Sequence, residues 1–133
     1  HLEGGPLPGG ATAIDLREGA LTVMQVHTST IGDATVLSCA GRLTMVAAPT
    51  LRSAIDDAVS DGRVRVVVDL AGTSFVDSSG LGALVAGLKR TRQAGGDLRI
   101  ASAQEQVRMV LNLTNLDRIL QPFDSVGDAV HGW

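Results

Sequence analysis

"SFVDSSGLGALV", residues 74–85, sets an acid, two hydroxyls and two glycines between apolar residues. Upstream, "VRVVVDL" (64–70) is nearly all apolar, as in a strand covered on both faces. Downstream, Leu81, Leu84, Val85 and Leu88 recur at helical spacing until Gly95-Gly96 stops them. Asp77-Ser78-Ser79-Gly80 therefore sits at a strand-to-helix junction. Such a junction can hold a catalytic nucleophile, a phosphate cradle, a modification site, or only the start of a helix, and the choice decides what the chain does.

The same alternation continues on both sides. "LTVMQVHT" (21–28) and "ATVLSCAG" (34–41) read as an antiparallel pair turning at Gly32. Leu51, Ile55, Ala58 and Val59 form the stripe of an amphipathic helix, with Pro49 in its first turn and Gly62 past its end. "LRIAS" (98–102) reads as a strand, Ser102-x-x-Glu105 has capping-box spacing, and Val107, Val110, Leu111 and Thr114 follow at helical spacing. "RILQPF" (118–123) reads as a last strand, closed by a helix beginning near Asp124 or Ser125. Strands alternating with helices over short turns predict an α/β fold. Its sheet is mixed but mostly parallel, with an antiparallel N-terminal edge hairpin and about four packed helices. The opening "HLEGGPLPGG" has little to bury, so residues 1–20 read as a flexible leader or tag remnant and 21–133 as one domain.

Composition narrows the function. The 133 residues are 44% hydrophobic but only 2% aromatic, which calls for a core of Val, Leu, Ile and Ala. A net charge of -3 and few aromatics supply neither a basic field nor stacking groups, against direct nucleic acid or anionic-membrane binding. Cys39 has no partner cysteine, which fits a reducing compartment and a small core residue; a redox role has no positive support. No apolar run reaches the roughly 18 residues of a membrane span, so a cytoplasmic protein is expected.

Catalytic readings of the junction fail on spacing. A nucleophile elbow needs G-x-S-x-G, but Val76 stands at the first glycine position. The histidines that would serve as base are His1, His27 and His131, in the leader, an outer strand and the last three residues. "GLGALV" puts Val85 at the third glycine of G-x-G-x-x-G, and Asp69, Asp77 and the histidines have no metal-ligand spacing, so no cofactor, metal or enzyme activity is expected. What remains is a hydroxyl at a helix N-terminus, capped by Asp77 or Ser78.

The order of elements together with "FVDSSGLGAL", "AGGDLRIAS" and "VRMVLNLTNLDRIL" resembles a STAS domain, the family that includes bacterial anti-sigma factor antagonists. The resemblance covers about residues 21 to 130. It implies that Ser78, directly after the aspartate, is phosphorylated by an anti-sigma factor that is also a serine kinase. It implies too that the modified form releases this partner and that a separate phosphatase resets it. By the same resemblance Asp77 orients the loop, Ser79 and Gly80 start the helix, Gly82 allows close approach, and the partner surface adds Thr73, Thr44 and Lys89. The alternative within the family is a scaffold subunit of a signalling or membrane-lipid transport complex, with no switch. One departure concerns recognition. Where kinase substrates of the family read G-x-L-D, this chain has Gly41-Arg42-Leu43-Thr44. Two readings of Thr44 stand: an altered partner choice, or a cap on the following turn.

Overall fold

The computed structural model describes residues 10–15, 21–131 and 133. Six strands form a single sheet in sequence order: β1 (Gly10–Asp15), β2 (Leu21–Ile31), β3 (Ala34–Leu43), β4 (Arg65–Val76), β5 (Asp97–Ala101) and β6 (Pro122–Phe123). The first three pair antiparallel and β3 through β6 pair parallel. The β2–β3 hairpin forms as expected, with Gly32 at φ +59 in the turn, a conformation most side chains resist. It is not the sheet edge, however. β1 pairs along β2, so residues 10–15 of the expected leader belong to the sheet; 1–9 and 16–20 lie outside the described residues. Pairing of this kind satisfies backbone groups of an open edge and needs no apolar side-chain signal, which is why composition missed it.

Period-2 alternation divides the sheet between two clusters. Leu37, Cys39, Val66, Val68, Leu70, Leu98 and Ile100 face α1 (Ala48–Ser60), α2 (Ser78–Gln93) and α3 (Glu105–Leu113) in the main core. Leu51 and Ile55 from α1, Leu84 and Leu88 from α2, and Val107 and Leu111 from α3 complete it. On the opposite face Val36, Val67 and Ala101 pack with Ala129 of α4 (Val126–Val130) and with Phe123 and Trp133. Arg99 holds this second cluster in place: its guanidinium lies 4.2 Å from the Trp133 ring and 5.3 Å from that of Phe123 and donates to the Ala129 carbonyl at 2.8 Å.

Two local expectations are corrected. Residues 118–123 are not one strand. A 3-10 turn covers Leu116–Arg118, Leu120 folds back into the core with its N–H on the Leu116 carbonyl, and only Pro122–Phe123 joins the sheet. Burying Leu120 through a turn outweighs the β-propensity of the run. The capping box also does not form. Ser102 adopts φ +58 and donates its N–H to the Phe123 carbonyl, so the N-cap falls two residues later, at Gln104, and α3 begins at Glu105. The α4 start agrees: Ser125 is its N-cap and accepts from Asp128 N–H at 3.0 Å.

Cys39 lies in the main core, and burial, followed by the negative charge of Asp69, pushes its thiol up to about 12 from 9.0. A folded value above the unfolded one means that the native state holds its proton longer. The resulting stabilisation is complete below pH 9, lost as pH rises from 9 towards 12. We expect a thiol reagent at neutral pH to leave Cys39 unlabelled in the native protein and to modify it in denaturant. Rapid labelling of the native chain would show that the strand opens.

Candidate functional site at the β4–α2 junction

β4 runs straight to Val76, and α2 starts two residues on. Between them Asp77 has extended backbone and is the N-cap, its Oδ1 accepting the Gly80 N–H at 2.9 Å. Its other oxygen, Oδ2, accepts the N–H of Met45 at 3.2 Å. The loop after β3 is thereby tied to the junction. Leu43 pairs in register with Val76, and the Leu43 carbonyl accepts the Asp77 N–H at 3.2 Å. One short carboxylate thus joins two loops more than 30 residues apart in sequence.

The expected site residues separate into exposed and structural groups. Ser78, at the first helical position, is exposed and Ser79 is half-buried. Gly82 is half-buried and Lys89 exposed, and positions 78, 82, 85 and 89 fall on one stripe of α2. Lys89 is nevertheless about 16 Å along the helix from Ser78 at 1.5 Å per residue. Thr73 and Gly80, expected on the contact surface, are buried. Thr73 lies inside β4, fully buried, and donates to the Cys39 carbonyl at 2.9 Å. A Cβ on Gly80 would collide with the Leu43 carbonyl oxygen and come within 2.7 Å of Val76 Cγ2, so this glycine seats α2 against the end of β3. Thr44 is half-buried; its carbonyl, accepting from Ala47 N–H at 3.0 Å and Ala48 N–H at 2.8 Å, closes the turn before α1. No side chain caps that helix, which removes the capping reading of Thr44.

Several residues at the site carry no signal in the sequence. β5 ends opposite Asp69, which leaves the last part of β4 without a strand on that side. Two glutamine side chains take its place. Gln104 donates to the Ala71 carbonyl at 2.7 Å, and Gln106 accepts the Val76 N–H at 3.0 Å while donating to the Val76 carbonyl at 3.3 Å. Gln106→Leu should therefore orphan a buried amide at the residue before Asp77. A loss of about 1–3 kcal/mol in urea unfolding is expected, and an unchanged midpoint would show that water replaces the amide. Met45 and Val46, 70% and 57% exposed, stand beside the junction, and Arg42 lies 4.7 Å over the Phe75 ring. Among the described residues, no three His, Cys, Asp or Glu side chains converge as metal ligands.

The sequence profile of the STAS domain matches residues 25–129. The chain belongs to the STAS domain family. Two curated relatives are similar to it. A Thermotoga maritima protein named as a candidate anti-sigma factor antagonist is 35% identical over 75 residues, 56% of this chain and 66% of that protein. The anti-sigma-F factor antagonist RsfB of Mycobacterium tuberculosis is 29% identical over 97 residues, 73% of this chain and 79% of the relative. The match thus spans just under two thirds of the length of the Thermotoga protein. The crystal structure of an anti-sigma factor antagonist from Mycobacterium paratuberculosis superposes with a TM-score of 0.73 at 27% identity, covering 80% of this chain and 91% of that one. In this STAS domain, then, the D-S-S-G segment lies at the C-terminal end of a central parallel strand, where α/β sheets present their loops to ligands and partners.

Proposed function

We propose that this chain is an anti-sigma factor antagonist whose partner, an anti-sigma factor with serine kinase activity, is released by phosphorylation of Ser78. The kinase transfers the γ-phosphoryl of ATP to the Ser78 hydroxyl, with ADP as the leaving product; a separate phosphatase hydrolyses the ester. The chain itself does no chemistry and acts in the cytoplasm, where ATP is supplied. Among the described residues no helix is long and apolar enough to cross a membrane.

The observation that carries this reading is the exposure of Ser78 between buried neighbours, Val76 and Gly80, at the first turn of α2. A kinase can reach the hydroxyl without opening the fold. The positive end of the helix tolerates the added charge of about -1.5 to -2 within the free chain, whereas a partner surface fitted to a neutral hydroxyl does not.

The test incubates the protein with anti-sigma kinases and ATP, then locates phosphate by peptide mass. One phosphate on the peptide holding Ser78, absent in Ser78→Ala, is the expected result. Phosphate on Ser79 would move the switch, and none with any kinase would favour the scaffold role without a switch.

A further inference from the structure

We propose that Met45 and Val46 form the apolar anchor by which the anti-sigma factor holds this chain, and that Asp77 keeps this anchor in register with Ser78. The inference rests on the function proposed above and adds to it a second point of contact and a positioning residue. Six large apolar side chains are conspicuously exposed among the described residues: Ile31, Met45, Val46, Met109, Leu113 and Ile119. Only Met45 and Val46 are tied to the junction, through the Met45 N–H on Asp77 Oδ2. Apolar side chains exposed beside a polar contact point are the usual material of an interface centre, and methionine adapts to an irregular pocket. The occupant is the protein that contacts Ser78, because the Asp77 bonds to Met45 and Gly80 make the loop and the first turn of α2 one surface. The fitting partner surface is an apolar cleft.

Asp77→Asn separates the two jobs of this residue. Asparagine caps helices as well as aspartate, so its carbonyl oxygen keeps the Gly80 bond. Its amide nitrogen then faces the Met45 N–H, donor against donor, and the loop is released. The experiment measures binding of the full chain to the anti-sigma factor that phosphorylates it, alongside hydrogen exchange at the Met45 amide. Met45→Ser with Val46→Ser should weaken binding by about 30-fold or more, the cost of removing an interface anchor. Asp77→Asn should weaken it roughly tenfold, a loss of about 1.4 kcal/mol, and speed exchange at Met45 while the thermal midpoint holds. Met109→Ser with Leu113→Ser, the exposed pair on α3, should leave affinity unchanged. The anchor is overturned if the loop variant binds like the wild type or the α3 variant loses as much. The positioning role fails if Asp77→Asn leaves the Met45 amide as protected as before. Absence of any wild-type binding would instead overturn the function itself.

Discussion

A Gly80→Ala variant should lose about 3 kcal/mol of stability and melt roughly 10 °C lower, although alanine is the better helix former. The gain in helix propensity is about 1 kcal/mol. Against it stands a methyl group placed on the Leu43 carbonyl oxygen, 2.7 Å from Val76 Cγ2 and 2.8 Å from Leu43 Cγ. A backbone carbonyl in the sheet cannot step aside as a flexible side chain can, so α2 must move away from β3. That shift pulls on the Asp77 bonds to Gly80 and Met45 as well. The control is two residues along the same helix. A Cβ on Gly82 would meet only the Arg52 guanidinium at 3.6 Å, an ordinary contact. Gly82→Ala should thus keep or raise the melting temperature. Two parallel thermal melts decide the matter, and equal midpoints would mean that α2 can shift away from β3 at little cost.

The second large effect is on affinity. Ser78→Ala removes a hydroxyl from an exposed position and should bind the anti-sigma factor within about threefold of the wild type. Under the proposed switch, Ser78→Glu places a carboxylate against a partner surface made for a neutral group, beside the Asp77 carboxylate. Burying an unpaired charge in an interface costs about 2–5 kcal/mol, which is at least a 30-fold loss. Neither variant disturbs the fold, because the side chain points to solvent in the free chain and the helix N-terminus accepts an acid in its first turn. Titration calorimetry on the pair distinguishes charge control from simple loss of a contact. If both bind alike, charge at position 78 does not govern release.

The predicted strands and helices that hold up share a physical origin. The stripe Leu51, Ile55, Ala58 and Val59 is buried along one face of α1, and Asp77 caps α2, because helical spacing and cap chemistry act within a few residues. Where the reading failed, a partner far away in sequence had intervened. Ser102 could not cap α3 because its backbone was taken by Phe123, and Thr73 left the surface because β4 continued past Leu70 and turned it onto the Cys39 carbonyl.

Taken alone, the amino-acid sequence determined the alternation of strands and helices from residue 21 as far as α3, their apolar stripes, and a helix start after β4 capped by Asp77 or Ser78. Those features are written in neighbours a few positions apart. Only the tertiary structure decided that Gly80 is a packing contact, that Gln106 stands in for a missing strand, and that Asp77 holds the Met45 amide. Each depends on groups about 30 or more residues distant, brought to hydrogen-bond or van der Waals range by burial of the common core, which no local spacing records.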